Sequence, residues 1–268
     1  MIVTVLADNR TISFAYFYRD AEYPVPLSVY HLAATPARTA DEYATLLGIM
    51  ASRWPHAAIK CAIVASVVPT LTAELIRALE QLYGDIPCLT VGAGLRTGLV
   101  LHTDSPAEIG ADLVAMAVGA AERQAPPFLV LHCGDITTLS AVGAGKSAPE
   151  FLGCAILPGA ALCAKAIGED AAQLATVSLV STPCAIGKNT ADSMRAGVLR
   201  GHAASIDRLI ADFEAEMGCP DLPVIATGEE AELMLPLLSH AAVRDAELAH
   251  KGLYRLAMRN SKKPRNGS

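Results

Sequence analysis

An aspartate in the apolar face of a helix is the first residue that invites a chemical reading. Ile109, Asp112, Leu113 and Met116 fall at helical i, i+3, i+4 and i+7 positions, so Asp112 lies inside the stripe. A carboxylate placed there loses hydration unless a partner replaces it. The spacing leaves two readings open: a functional carboxylate, or an aspartate at the stripe's edge bonded to neighbouring backbone. A second candidate is Lys188-Asn189-Thr190, which follows the small-residue turn Ala185-Ile186-Gly187 and opens a long helix. The free N–H groups of a helix start can hold an anion or a carbonyl. Ordinary capping by Asn189 or Thr190 accounts for the same residues. The seven cysteines (Cys61, Cys88, Cys133, Cys154, Cys163, Cys184 and Cys219) include no C-x-x-C pair. Most sit in apolar runs and read as buried, reduced thiols of a cytoplasmic protein.

The elements that must position these residues follow from periodicity. Residues 1–7 read as a buried strand, Asp8-Asn9-Arg10 as a turn, and residues 11–18 as a second strand. Helical spacing covers 40–53 and 70–83, the latter with Leu71, Leu75 and Leu79 on one face. Residues 61–68 and 88–91 are apolar strands. Ser105-Pro106-Ala107-Glu108 has the form of a capping box with a proline in the first turn, predicting a helix from there to about Glu122. The helix after Asn189 reaches about Met217, with Met194, Val198, Ile206, Leu209, Ile210 and Phe213 on its apolar face. The middle of the chain repeats its opening: strand 128–132, turn Cys133-Gly134-Asp135, returning strand 136–142. This suggests two related α/β domains, 1–124 and 125–260, with a flexible tail over 261–268.

The 268 residues are 52% apolar, enough for a sizeable core, and carry a net charge of −6. No basic stripe runs along the chain, which argues against a nucleic-acid partner. The N-terminal apolar run is too short for a membrane span and lacks the basic start of a signal peptide.

Six short motifs, in order, carry a resemblance to one family. Ala65-Ser66-Val67-Val68-Pro69 resembles S-S-V-V-P, and Leu95-Arg96-Thr97-Gly98-Leu99 resembles V-K-T-G-L. Residues 106–113, P-A-E-I-G-A-D-L, resemble P-x-E-V-G-A-D-R, and residues 152–159, L-G-C-A-I-L-P-G, resemble L-G-G-A-I-x-P-G. Gly187-Lys188-Asn189-Thr190 matches G-K-N-T, and Val224-Ile225-Ala226-Thr227-Gly228 resembles V-x-x-T-G-G. The series is similar to that of the type III pantothenate kinases. The resemblance implies a duplicated, actin-like α/β fold of the sugar kinase and Hsp70 superfamily. It implies transfer of the ATP γ-phosphoryl group to pantothenate, the first step of coenzyme A synthesis, supported by Mg2+ and a monovalent cation such as K+. It also implies a dimer with the pantothenate pocket at the subunit interface. By the same resemblance Asp112 takes the general-base position, Gly110 and Ala111 line the substrate, and Thr190 reaches into the pocket of the other subunit.

The departures from the family pattern are concentrated in the phosphate-handling motifs. The family's opening D-x-G-N-T is Leu6-Ala7-Asp8-Asn9-Arg10, so Asp8, Asn9 and, in the second motif, Asp135 occupy degenerate ATP-site positions. D-F-G-T-A-T-T is His132-Cys133-Gly134-Asp135-Ile136-Thr137-Thr138; His132 replaces the cation ligand, so no metal ligand is assigned here. The substrate-binding Arg after G-A-D is Leu113, and the pocket Tyr is Thr103. Phosphoryl transfer rests on positioning and charge stabilisation, so a base without them does little. The expectation is a chain inactive or very weak alone, acting in a heterodimer with an intact homologous subunit that binds ATP, Mg2+ and K+. The alternatives are an active homodimer with altered binding, and a non-catalytic regulator on the kinase fold.

Overall fold

The computed structural model describes residues 1–19, 24–55, 58–170, 177–181 and 184–261. The expected tail, apart from Ser261, lies outside the described residues. In chain order the elements are β1 (Ile2–Ala7), β2 (Thr11–Phe17), β3 (Ser28–Ala33), α1 (Ala40–Ala51), β4 (Cys61–Ser66), α2 (Pro69–Tyr83), β5 (Cys88–Thr90), β6 (Val100–Leu101) and α3 (Ala111–Ala121). They continue as β7 (Phe128–His132), β8 (Ile136–Ala144), β9 (Pro149–Pro158), α4 (Ala160–Asp170), α5 (Thr190–Met217), β10 (Val224–Thr227), α6 (Ala231–Met234), β11 (Ala242–Arg244) and α7 (Leu248–Asn260). The chain divides into two compact units. The first holds Met1–Val100, Asp104–Arg123 and the stretch from Glu247; the second holds Leu101–Thr103 and Gln124–Ala246.

The sheet of the first unit has the order β3-β2-β1-β4-β5. Its first three strands form an antiparallel meander, and β4 and β5 add in parallel after the crossover helices α1 and α2. The second sheet, β11-β10-β7-β8-β9-β6, repeats the plan: β7, β8 and β9 form the meander, and β10 and β11 add in parallel. The recurrence of strand, tight turn and returning strand seen in the sequence is therefore one part of a repeated topology.

β1 reads Ile-Val-Thr-Val-Leu-Ala because both of its faces are covered. Val3 and Val5 point with Phe14 and Tyr16 into a core closed by Tyr43 and Leu47 of α1 and Leu75 and Leu79 of α2. Ile2 points the other way, with Phe17 and Ile63, against Val114 and Val118 of α3 and Leu253 and Tyr254 of α7. Strand alternation alone separates the two sets. Truncating such a buried leucine to alanine costs about 2–5 kcal/mol. α3 and α7 pack backbone to backbone: a Cβ at Gly252 would run into the Ala115 carbonyl, and one at Gly119 into the Leu248 carbonyl. In the second unit Leu129, Leu131 and Leu139 of the sheet pack on Leu199, Ile206 and Ile210 of α5 and Ala160 and Ala164 of α4.

Three expectations need correction. The continuous helix from Ser105 does not form. Ser105 makes no side-chain cap bond, Pro106–Glu108 is a single 3-10 turn, and Ile109 turns extended at φ −67°, ψ 126°. α3 starts afresh at Ala111, so Asp112 stands in its first turn rather than midway along a stripe. The cysteines are free, but only Cys61 and Cys133 are buried, whereas Cys154 and Cys184 are exposed. Finally α7, which a division at 124/125 assigns to the second domain, packs in the first unit on α3.

Candidate functional site

In the first unit the β1–β2 turn holds Asp8, Asn9 and Arg10, all exposed. Asp8 Oδ1 accepts hydrogen bonds from the backbone N–H of Arg10 at 2.7 Å and of Thr11 at 2.6 Å. The Asp8 N–H donates to the Thr11 carbonyl at 2.9 Å. The turn is thus closed by its own carboxylate, a local conformation that aspartate favours. At the start of α3, Gly110 is the residue before the helix and Ala111 and Asp112 are half-buried in the first turn. The Val114 N–H donates to the Gly110 carbonyl at 3.2 Å, so the backbone that carries Asp112 is held. Residues 95–99 are tied to the end of α7. Arg96 N–H donates to Asn260 Oδ1 at 3.0 Å, Asn260 Nδ2 returns to the Arg96 carbonyl at 2.9 Å, and Arg259 donates to the Thr97 carbonyl.

Beneath the β1–β2 pair lies a polar contact that periodicity does not reveal. His250 of α7 is fully buried, with Nδ1 2.8 Å from Thr4 Oγ1 and Nε2 2.8 Å from Ser13 Oγ. Thr4 also donates to the Ala15 carbonyl at 3.4 Å. Ser13 Oγ likewise donates to the Leu6 carbonyl at 3.5 Å, and a neutral ring donates to one of the two hydroxyls and accepts from the other. Burial holds the imidazole neutral and pushes its pKa from 6.5 down to about 3, and nearby His31 acts in the same sense. A cavity of about 300 Å³ in this unit is walled by Tyr16, Trp54, Leu82 and Tyr83, and none of the motif residues lines it.

In the second unit the corresponding turn, Cys133-Gly134-Asp135, is held from three sides. The Cys133 N–H donates to the Thr227 carbonyl at 2.8 Å, the Gly159 N–H to the Asp135 carbonyl at 2.7 Å, and the Glu230 N–H to the Cys133 carbonyl at 2.9 Å. Gly228 makes this approach possible: its φ is +99°, and a Cβ there would strike the Cys133 carbonyl. His132 is half-buried, its ring packed where a side chain on Gly134 would stand. The carboxylate of Glu230 accepts from the first two amides of α4, Oε2 from Ala160 N–H and Oε1 from Ala161 N–H, each at 2.9 Å. Burial, with the Glu230 charge adding to it, pushes the Cys133 thiol up to about 12, so it is no nucleophile. His202 of α5 bonds Thr137 Oγ1 through Nε2 at 2.9 Å, and burial depresses its pKa against the opposing pull of Glu230.

At the start of α5 the two possible caps separate. Asn189 is the cap: its side chain accepts from the Asp192 N–H at 2.9 Å, and its Nδ2 donates to Asp192 Oδ2 at 2.7 Å. Thr190 is the first helical residue and is exposed, as are Ile186 and Lys188. Sequence reasoning thus placed Asp8-Asn9-Arg10 and Cys133-Gly134-Asp135 on turns and the start of α5 near Asn189, but missed Glu230, His202 and His250. The acidic pair Glu229-Glu230 directly after Thr227-Gly228 was a usable signal for the first. His202, set between Leu199 and Ile206 on an apolar helix face, was one for the second.

Among the described residues no group of three or more His, Cys, Asp or Glu side chains is arranged to hold a metal ion. No helix among them is long and apolar enough to cross a membrane.

Comparison with known proteins places the chain. The family model described as type III pantothenate kinase matches residues 7–212. The type III pantothenate kinase of Roseiflexus sp. (strain RS-1) is 40% identical over 241 residues, covering 87% of this chain and 89% of its own. That of Rhodococcus erythropolis (strain PR4 / NBRC 100887) is 32% identical over 271 residues, covering 100% of this chain and 98% of its own. Among solved structures, the activator of the 2-hydroxyisocaproyl-CoA dehydratase from Clostridium difficile with bound ADPNP aligns over 100% of this chain and 99% of its own. Its TM-score is 0.54 and its identity 11%. A glucokinase from an Antarctic psychrotroph aligns over 97% and 99%, with a TM-score of 0.51 and 12% identity. At such identities these two speak to the fold alone, the two-domain α/β fold of the sugar kinases and actin. With most of its length matched by the family model and by relatives at 32–40% identity, the chain belongs to the type III pantothenate kinase family.

Proposed function

We propose that this chain is a subunit of a pantothenate kinase, inactive or very weak by itself, which completes the substrate pocket of an intact homologous partner. The reaction of the complex is transfer of the ATP γ-phosphoryl group to pantothenate at the head of coenzyme A synthesis. ATP, Mg2+ and a monovalent cation such as K+ are then held mainly by the partner.

The observation that carries this reading is the Asp8 turn. A phosphate-cradling turn offers backbone N–H groups to its ligand. Here two of those groups, on Arg10 and Thr11, already bond the Asp8 carboxylate. A polyphosphate does not fit: it would have to displace a tethered anion and meet its charge. Leu6, His132 and Leu113 stand where the family's two aspartates and substrate arginine are expected, which removes further charge from the same chemistry. Thr190 supports the trans contribution. With Asn189 serving as the cap, the Thr190 hydroxyl is not needed by its own helix and is left exposed. A polar, amide-containing substrate such as pantothenate suits a hydroxyl that both donates and accepts. β9 supports an interface. Leu152, Cys154 and Ile156 on one face of that strand are exposed, Ile156 to 67%, and Ile186 just before α5 is 82% exposed.

The test is reconstitution. The chain alone, an intact family member from the same source, and the two co-expressed are assayed for ATP- and pantothenate-dependent turnover. The reading expects co-purification and activity in the pair. A turnover number of about 1–10³ s⁻¹ for the pure single chain would refute it. In the pair, Asp112→Asn in this chain leaves turnover nearly unchanged; abolished turnover would put the live base here.

A further inference from the structure

We infer that Glu230 is a built-in anion that, together with Asp8, closes this chain to nucleotide polyphosphates. The inference rests on the reading above but adds a residue, and a cause, that the reading does not contain.

The first amides of a helix have no partner within it and form the positive end of its dipole. In α4 the first two of these, on Ala160 and Ala161, are each bonded by one oxygen of the Glu230 carboxylate at 2.9 Å. Glu230 is not a loosely swinging side chain. Its own N–H is fixed to the Cys133 carbonyl at 2.9 Å, and its carbonyl accepts from Leu233 and Met234 N–H, both at 3.0 Å. Gly228, held at φ +99° against Cys133, sets the turn that delivers it. One residue therefore binds the hairpin turn at Cys133 through its backbone and the start of α4 through its side chain.

The Asp8 turn in the first unit has the same chemistry: one carboxylate, two adjacent amides, distances of 2.6 and 2.7 Å. Each unit thus presents a pair of N–H donors of the kind that takes a phosphate oxygen, and each pair is filled by an anion of the chain itself. A tethered group competes at an effective concentration on the order of millimolar. An incoming phosphate must also approach a negative charge it cannot expel. Exclusion here follows from occupation rather than from missing donors, and it should be reversible by single substitutions.

The experiment is calorimetric titration of the full chain with inorganic tripolyphosphate and with Mg-ATP. The proteins are the wild type, Glu230→Gln, Asp8→Gly and the double variant, each checked for folding by circular dichroism. Asp8→Asn, which keeps a turn-forming side chain without the charge, serves if Asp8→Gly does not fold. Glu230→Gln keeps the size of the side chain. The inference expects weak wild-type binding and a gain of about tenfold or more, worth about 1.4 kcal/mol, in the double variant, with part of it in Glu230→Gln. Folded variants that bind no better than a weakly binding wild type overturn the inference and leave the subunit reading standing. A wild type that binds Mg-ATP in the low micromolar range overturns both.

Discussion

Acid should loosen the first unit through one side chain. His250 is fully buried and accepts or donates at both ring nitrogens, to Thr4 and Ser13. Its folded pKa is about 3 against 6.5 when free. Below 6.5 the unfolded chain takes up a proton that the folded chain refuses, so the native state loses stability as pH falls from about 6.5 toward 3 and regains it above. The loss from this group is about 2 kcal/mol at pH 5 and about 4 kcal/mol at pH 3, at 1.36 kcal/mol per pH unit. Trp54, the chain's one tryptophan, stacks against Tyr16 with ring centroids 5.0 Å apart and reports this unit directly. Urea midpoints read from its fluorescence at pH 7.5, 6, 5 and 4 should fall steeply for the wild type. His250→Gln should begin about 1–3 kcal/mol weaker, because one of the two hydroxyls loses its partner, but should fall less with acid. Parallel pH dependences for wild type and variant would refute the argument, whatever their absolute stabilities.

Further outcomes follow from the helix contacts. Asn189→Ala removes the α5 cap and should lower stability by about 1 kcal/mol, whereas Thr190→Val should leave melting unchanged. In the reconstituted pair, Thr190→Val should raise the pantothenate constant by an amount equivalent to about 1–3 kcal/mol; wild-type kinetics in that variant would remove Thr190 from the pocket. Gly252→Val places a side chain into the Ala115 carbonyl, so the α3–α7 contact must open; a loss above about 2 kcal/mol in urea unfolding is expected, and an unchanged midpoint would mean the helices can part without penalty.

Much of this architecture was legible because its strands carry their burial in their composition. The runs 128–132 and 61–66 are apolar at nearly every position since both faces of those strands are covered, and the two polar turns between antiparallel strands stand out against them. The α3 start was misread because a serine, a proline and a glutamate at capping spacing do not decide between a 3-10 turn and an α-helix. The extended backbone at Ile109 does, and tertiary packing sets it. β3 and β11 are short or partly exposed and offer little pattern. Asp8, Asp135 and Thr190, unlike Asp112, could be placed on their turns and helix start from sequence. Their hydrogen-bond partners could not: Glu230 meets Ala160 across 70 residues and His250 meets Thr4 across 246, separations at which spacing carries no information.

The return of α7 to the first unit has a bearing on how the protein is made. Synthesis runs from the N-terminus, and domains generally fold as they emerge. The sheet face formed by Ile2, Ala15, Phe17, Cys61 and Ile63 can be only partly covered, by α3, until Leu253, Tyr254 and Leu256 leave the ribosome. Residues 124–246, which make up nearly all of the second unit, are complete before that. The unit begun first is therefore finished last. Its nascent form exposes apolar surface through most of translation, and a chain stalled or cut before residue 248 would hold an ordered second unit beside a first one that cannot close.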